Sequence, residues 1–435
     1  MSPELIGLIA IIALFVLLFS GIHIALAFLL VSLIGSIVLM GIDVTLSMWQ
    51  IIPPMLLANF SFAVLPFFIL MGLLSAHSGL AESLYNSLHK WTGKLPGGLA
   101  MATAAAQAGF GAASGSSLAS AVAFTKISLP PMLSRGYDRK LATGTIAAAG
   151  ILAVLIPPSA LVVIYGIIAE QPISPLLIAG VFPGLLAALG FMGLIFIRVK
   201  LNPSLAPVST EQVPWREKFS SLKGVWTLLV LILIVIGGIY SGVFTPTEAG
   251  AAGCFGAFLI ALQQRRLGGG RLKSALLDAL SVTAMVFFIL TAALIFGRFL
   301  AVTRLPDAVL EFIQGSGWPP IAIVICFLGI LLIMGMFLEA MSALVLSTPI
   351  MIPTVEALGY DGVWFGILVV YTLAIGFVTP PMGMVAFAVK GAAGGVVTTG
   401  EVFKGVTPFI IVAVVLLALL VAFPQISLVL PNLMK

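Results

Sequence analysis

The sequence predicts an all-α polytopic membrane protein built from two related halves. Hydrophobic residues make up 61% of the 435 residues and charged residues only 8%, against roughly 25% charged residues in soluble domains. Apolar runs of about 20 residues, the length of a membrane-spanning helix, recur along the whole chain. The chain therefore has no room for a soluble catalytic or nucleic-acid-binding domain.

A pattern of helix-breaking residues occurs twice in the chain. Each of its three parts returns at one constant offset in residue number: Pro130 as Pro353, Gly136-Tyr137-Asp138 as Gly359-Tyr360-Asp361, and Pro157-Pro158 as Pro380-Pro381. Paired interrupted segments in the halves of an apolar chain are the best sequence indication of a transporter's central site. The constant offset, called the repeat offset below, therefore predicts an internal structural repeat.

The first half begins with helices and interfacial stretches and then reaches a hairpin. Residues 97–132 are rich in small residues, are broken at Ser114–Ser117, and have basic residues before and just after them. Because basic loops mark the cytoplasmic side, both ends lie on that side and the segment is a re-entrant helical hairpin. The other predicted elements are helices at 4–20, 22–40, 59–76, 140–169 (broken at Pro157-Pro158) and 174–198, and interfacial stretches at 44–56 and 79–91.

The second half repeats this order after a charged, proline-containing linker at 199–222. Its second hairpin, 318–352, is broken near Gly335–Glu339, and its last broken helix at Thr379-Pro380-Pro381. The predicted helices are 224–243, 247–263, 274–300, 361–390 and 401–423. Cys254 and Cys326 lie in apolar runs and are predicted to be small core residues.

Counting membrane crossings gives the two proline-broken helices opposite directions. The repeat is therefore predicted to be inverted, with the first hairpin entering from the cytoplasm, the second from outside, and both chain termini outside. The resulting domains are 1–58 (N-terminal helices and interfacial segment, a scaffold), 59–198 (first inverted repeat), 199–273 (cytoplasmic linker and connecting helices), 274–423 (second inverted repeat) and 424–435 (C-terminal tail).

The broken helices are candidate ion ligands. A helix can be interrupted inside a bilayer only where the freed backbone groups face a protein-lined cavity or bind something. Each Pro-Pro pair removes amide donors and frees carbonyl oxygens. With the hydroxyls of Ser159 and Thr379 and the residues of the hairpin tips, these oxygens form a possible cage for a small hard cation such as Na⁺. A simple proline kink is the structural alternative.

Glu339 is the one carboxylate deep in the second hairpin, and an intramembrane ionisable residue is a functional candidate. A purely structural pairing of Glu339 is the alternative. Serines near Gly115 also suit an intramembrane serine hydrolase, although no histidine is placed as its base. The chain has no P-loop of the form G-x-x-x-x-G-K-[ST], so any energy for transport comes from an ion gradient or a partner.

The same segments resemble the large membrane (M) subunit of tripartite ATP-independent periplasmic (TRAP) transporters over nearly the whole chain. The residues that carry the resemblance are Leu65–Phe68 with Gly72, Ala113–Ser117, Arg135–Asp138, Ile156–Ser159, Ile164–Gly166, Thr245–Ala249, Gly335–Glu339, Gly359–Asp361 and Thr379–Gly383. Each motif alone is weak, and their shared order makes the resemblance specific.

The resemblance implies a Na⁺-driven secondary transporter, not an enzyme, that imports small organic acids by an elevator motion across the bacterial inner membrane, with both termini periplasmic. It also implies a periplasmic substrate-binding protein and a small four-helix membrane subunit, which is expected to be a separate chain because no fused domain precedes Met1. Two or more Na⁺ ions are expected, with no organic cofactor, no transition metal and no nucleic-acid partner. A stand-alone ion-coupled carboxylate carrier is the alternative.

The resemblance also assigns site residues. One sodium site is implied at Ser114, Gly115, Ser116, Ser117, Pro157, Pro158 and Ser159, and a second at Gly335, Met336, Phe337, Glu339, Thr379, Pro380, Pro381 and Gly383. Substrate contacts are expected from Ser117, Ser120, Ser159, Glu339 and Thr379. Many relatives have an acidic residue or threonine where this chain has Ser120, and the sequence does not specify the organic acid.

Overall fold

The computed structural model describes residues 2–207, 213–266, 268, 270–315 and 317–434. Within these ranges the chain contains helices and turns and no β-strand. Residues 208–212 of the predicted linker lie outside the described residues, as do 267 and 269 near the end of the predicted 199–273 segment.

The helices of the first half follow the predicted order. They are α1 (Pro3–Phe19), α2 (Ile24–Met40), α3 (Ile42–Ala58), α4 (Val64–His77), α5 (Leu80–Thr92), α6 (Gly98–Ser114), α7 (Ser117–Ser134), α8 (Arg139–Gly150), α9 (Leu152–Leu155), α10 (Ala160–Ile168), α11 (Ile173–Ala179) and α12 (Val181–Leu201).

The second half contains a similar succession. Its helices are α13 (Trp215–Ser221), α14 (Trp226–Ile232), α15 (Gly238–Tyr240), α16 (Pro246–Gln263), α17 (Arg271–Thr303), α18 (Leu305–Gly315), α19 (Pro320–Phe337), α20 (Ala340–Ala357), α21 (Gly362–Gly376), α22 (Met384–Ala392), α23 (Thr399–Ala422) and α24 (Gln425–Asn432).

Six helical segments in the described residues are long and apolar enough to cross a membrane, and the number reaches eight if two bent helix pairs each form one span. One bent pair is Arg139–Leu155 with Ala160–Ile168, which meet at 44° across the predicted Pro157-Pro158 break. The class of all-α polytopic membrane protein is confirmed. By length alone both α19 and α20 qualify as spans, so the re-entrant course of that hairpin stays a prediction.

Helix bounds in the two halves correspond at the repeat offset found in the sequence. At that offset, both ends of α20 match those of α7, the end of α19 matches that of α6, and the start of α21 matches that of α8. The same local signals therefore produce the same helical arms in both halves. Their inverted relation across the membrane stays a prediction.

The aspartates of the repeated motif explain one of these shared bounds. Asp138 accepts a hydrogen bond from the amide of Leu141 at 2.9 Å, and Asp361 accepts one from Trp364 at 3.0 Å. Each side chain satisfies an amide that has no partner in the first helical turn. The preceding Gly136 and Gly359 have φ of 76° and 83°, a left-handed turn that favours glycine.

The first hairpin folds back on itself. The rings of Phe110 in α6 and Phe124 in α7 lie 5.9 Å apart between centroids. The side-chain amide of Gln107 in α6 donates to the carbonyl of Ser120 in α7 at 3.4 Å. These contacts between residues on either side of the tip show that the two arms pack against each other.

Two glycine pairs let helices of distant sequence touch through their backbones. In the crossing of α8 with α23, a Cβ built on Gly405 would lie 3.1 Å from the Cα of Gly144 and closer still to the carbonyl oxygen of Lys140. In the crossing of α19 with α21, a Cβ on Gly376 would lie 2.8 Å from the Cα of Gly335. Small residues at such crossings are typical of membrane helices.

The structure differs from the sequence predictions in three places. Helix α18 was not predicted, although its end matches that of the interfacial helix α5 at the repeat offset. The predicted C-terminal tail contains α24, whose Ser427 is buried. The prediction of a core position was wrong for Cys326, which is exposed, whereas Cys254 is buried; an apolar run alone does not say which face of a helix packs inward.

Candidate functional site

A cavity of about 400 Å³ lies where the two hairpin tips approach the first broken helix. Its volume is in the range of small-molecule sites. Apolar side chains of α4, α10, α17 and α21 form most of its wall. The predicted site residues that line it are Ser114, Gly115, Ser116, Ser117, Pro158 and Glu339.

The first tip is a tight turn held against the first helix break. Gly115 ends α6 with a left-handed φ of 60°, and Ser116 begins α7 by accepting a hydrogen bond from the amide of Ala119 at 3.3 Å. A Cβ on Gly115 would lie 3.2 Å from the carbonyl oxygen of Pro158. The tip and the break therefore pack backbone to backbone.

Three serines at this tip have buried hydroxyl oxygens without a protein partner among the described residues. They are Ser114, Ser117 and Ser120, and Ser120 is fully buried. Leaving a buried hydroxyl unpaired costs about 1–3 kcal/mol each, so such groups in native proteins have a partner such as an ion, water or a ligand. Oxygen donors of this kind suit a hard cation, so the residues present fit Na⁺.

The first helix break also supplies carbonyl oxygens. Pro157 and Pro158 are buried and have no amide to donate to the carbonyls of Ala153 and Val154. Among the described residues, no other backbone amide donates to those two carbonyls. Val154 lines the cavity. Ser159 does not line it; its hydroxyl caps α10 by accepting from the amide of Val162 at 3.5 Å.

The second tip brings one carboxylate to the same cavity. Glu339 begins α20 and accepts a hydrogen bond from the amide of Ser342 at 3.1 Å. At the repeat offset it matches Ser116, which caps α7 in the same way. Gly335, Met336 and Phe337 form the last turn of α19 and do not line the cavity.

The second helix break is arranged differently from the first. Pro380 and Pro381 are exposed, and the carbonyls of Gly376 and Phe377 accept from the amides of Thr379 at 3.0 Å and Val385 at 3.1 Å. In a continuous helix without proline, the amides at positions 380 and 381 would donate to these two carbonyls.

The hydroxyl of Thr379 donates to the carbonyl of Ile375 at 2.7 Å. Thr379, Pro380, Pro381 and Gly383 do not line the cavity, although Phe377 of the same segment does. The structure thus gathers most of the first set of predicted ligands around one cavity, which Glu339 also lines and Thr379–Gly383 do not.

Sequence reasoning missed Gln107. This side chain is fully buried, its amide donates toward Ser120, and its carbonyl oxygen has no partner among the described residues. It adds an oxygen beside the unpartnered serines. The available signal was its position two helical turns before Ser114, on the same face of a helix made of small residues.

The chain matches the family model described as "Tripartite ATP-independent periplasmic transporter, DctM component" over residues 11–426. It is 34% identical to the C4-dicarboxylate TRAP transporter large permease protein DctM of Pseudomonas aeruginosa, covering 86% of this chain and 87% of that one. It is 31% identical to the sialic acid TRAP transporter large permease protein SiaM of Vibrio cholerae, covering 96% of both.

A further relative is the isethionate TRAP transporter permease protein DctMQ of Oleidesulfovibrio alaskensis, at 35% identity over 85% of this chain. The match spans 58% of that longer relative.

Two solved transporters share the fold at low sequence identity. The YdaH transporter of Alcanivorax borkumensis has a TM-score of 0.57 at 15% identity, covering 85% of this chain and 87% of that one. MtrF of Neisseria gonorrhoeae has a TM-score of 0.57 at 14% identity, covering 89% and 83%. Together with the family match over nearly the full length, these findings describe a multi-pass transport protein of the bacterial inner membrane rather than an enzyme. The chain belongs to the DctM family, the large membrane components of TRAP transporters.

Proposed function

We propose that this chain is the large subunit of a Na⁺-coupled transporter that imports a small organic anion delivered by a periplasmic substrate-binding protein. The observation that carries the proposal is the group of buried, unpartnered hydroxyls at the first tip, packed against a helix break with free carbonyls, all within the described residues. Ser114, Ser117 and the carbonyl of Val154 are the proposed core of the first sodium site. A bound Na⁺ would supply positive charge to a cavity whose described lining holds no basic side chain.

The second sodium site, at Gly335–Glu339 with Thr379–Gly383, is also proposed. Its two parts do not line one cavity here, and the carbonyls of its break already accept amides. We therefore expect the first site to be the better formed of the two in the conformation described above.

The cavity suits a compact anion. Ser117 and Ala340 begin helices α7 and α20 and line the cavity, so two amide-rich, partly positive helix ends point toward it. Ser117 and Glu339 are the proposed substrate contacts that line the cavity, whereas Ser120, Ser159 and Thr379 do not line it. Glu339 is the single charged residue of the described lining, so an anionic substrate needs the cation bound nearby.

We propose that the chain assembles as other TRAP transporters do, with a small membrane subunit in the bilayer. A small four-helix membrane subunit and the bilayer cover the exposed apolar faces of helices such as α1, α3 and α14, and both termini lie in the periplasm. Two repeats with matching arms, which we predict to be inverted, support alternating access by an elevator movement of one unit against a scaffold. Relatives are named for C4-dicarboxylate, sialic acid and isethionate, which are all anions, so the substrate is proposed to be an anion of this size class.

Uptake by the reconstituted protein tests the function. Liposomes that contain this chain and its small partner, with loaded binding protein outside, should accumulate substrate only with an inward Na⁺ gradient. Uptake that is undiminished when choline replaces Na⁺ would contradict the coupling. Equal uptake without the binding protein would favour a stand-alone carrier instead.

Pro158→Ala is expected to weaken Na⁺ activation more than Pro381→Ala. The alanine at 158 restores an amide that can donate to the carbonyl of Val154, whereas the carbonyl facing position 381 already accepts the amide of Val385. Loss of one charge-bound contact, about 1.5–3 kcal/mol, raises the half-maximal Na⁺ concentration about tenfold or more. Sodium activation curves of the two variants measure the difference; equal shifts would refute the assignment of Val154.

A further inference from the structure

A second polar cavity lies away from the proposed transport site. It has a volume of about 380 Å³ and lies, partly open, between the amphipathic helix α5 and the arms of the first hairpin. Glu82, Tyr85, Asn86 and His89 come from α5, and Lys126 and Arg135 come from α7 and its end. Its neighbours in sequence are the basic loops that predict the cytoplasmic side.

Two groups in this cavity are left without a protein partner. Tyr85 is only 4% exposed, lines the cavity, and its hydroxyl makes no hydrogen bond within the described residues. The side chain of Lys126 is exposed, and its ammonium has no carboxylate within ion-pair distance in the part of the chain that the structure describes. A buried hydroxyl donor and an unpaired ammonium on one cavity wall both favour an anionic oxygen.

The remaining groups of the wall set the charge and the shape. Glu82 is the only acidic residue of the described lining, and its carboxylate lies 3.7 Å from Arg266, which is not part of the wall. Arg135 contacts His89 at 2.9 Å, and the His89 ring stacks on the Tyr85 ring at 6.3 Å. These contacts hold the Tyr85 ring against the cavity, and Lys126 and Arg135 leave the wall net positive.

We propose that this cavity is a binding site for a small oxyanion, a phosphate or carboxylate group, held by the Tyr85 hydroxyl and the Lys126 ammonium. The group belongs either to a free cytoplasmic anion or to the headgroup of an anionic phospholipid. Because α5 and α7 both contribute, an anion bound there ties the interfacial helix to the second arm of the first hairpin. The site does not depend on the proposed transport function.

The test uses the full chain with its small partner. Equilibrium dialysis of tracer inorganic phosphate in neutral detergent measures the free anion, and mass spectrometry of lipid retained from phosphatidylglycerol nanodiscs measures the headgroup. Tyr85→Phe removes only the hydroxyl, and Lys126→Gln removes only the charge. Each is expected to weaken binding about tenfold, the size of one hydrogen bond to a charged group.

Lys90→Gln is the matched control, because Lys90 is in the same helix as Tyr85 and does not line the cavity. Phosphate binding that falls in both cavity variants and not in the control supports the site with a free anion as occupant. The same pattern seen only for retained phosphatidylglycerol supports it with a lipid headgroup. Absence of binding in both assays, or an equal loss in Lys90→Gln, overturns the proposal.

Discussion

Gly115→Ala is expected to reduce Na⁺-dependent uptake about tenfold or more. Gly115 has a left-handed φ of 60°, a conformation that costs an L-residue about 1–2 kcal/mol. Its added Cβ would also lie 3.2 Å from the carbonyl oxygen of Pro158, so we expect the tip and the helix break to move apart by a few tenths of an ångström. That movement separates the serine hydroxyls from the break's carbonyls, which we propose to share one ion. Initial uptake rates at saturating substrate and at the half-maximal Na⁺ concentration of the wild type measure the effect.

Gly242→Ala is the control that measures the cost of the left-handed backbone conformation without a contact of the added Cβ. Gly242 has a similar φ of 72°, and a Cβ there would meet nothing within 4 Å. We expect this variant to keep uptake within about twofold of wild type, as its only penalty is the left-handed conformation. Wild-type uptake by Gly115→Ala, or an equal loss in both variants, would show that the contact between tip and break is not required.

Gly405→Ala is expected to destabilise the protein by several kcal/mol and to remove most of the monodisperse material. Helices α8 and α23 touch at Gly144 and Gly405, and a Cβ on Gly405 would overlap the carbonyl of Lys140. The atoms that it would meet belong to the backbone of a rigid helix, so the helices must part, and overpacking of this kind costs about 1–3 kcal/mol or more. Because α8 leads directly into the Pro157-Pro158 break, the displacement also reaches the proposed ion site.

Gly400→Ala is the control in the same helix. A Cβ on Gly400 would meet nothing within 4 Å, and alanine favours helix over glycine by about 1 kcal/mol. Thermal unfolding in detergent and the yield from size-exclusion chromatography should therefore be unchanged or higher for this variant. A melting temperature for Gly405→Ala equal to that of Gly400→Ala would contradict the close crossing.

The helical arms could be predicted from sequence because their signals are local. Apolar length, the capping residues Asp138 and Asp361, and the prolines at 157–158 and 380–381 act through a few neighbouring residues. Helix α18 was missed because it lies between the predicted helix at 274–300 and the predicted hairpin at 318–352, where no element was predicted. Gln107 was missed because its one signal, the helical spacing from Ser114, does not show that its side chain meets Ser120 of the other arm.

The sequence by itself determined an all-helical membrane protein, the constant repeat offset between its two halves and the family to which it belongs. Only the tertiary structure decided which of the candidate site residues line the same cavity. Glu339 of the second half lines the same cavity as Ser114–Ser117 of the first. The second Pro-Pro pair is exposed, and the carbonyls of Gly376 and Phe377 before it already accept backbone amides. The reason is physical: helix ends follow from adjacent residues, whereas a shared cavity depends on backbone contacts, such as that of Gly144 with Gly405, between helices far apart in the chain.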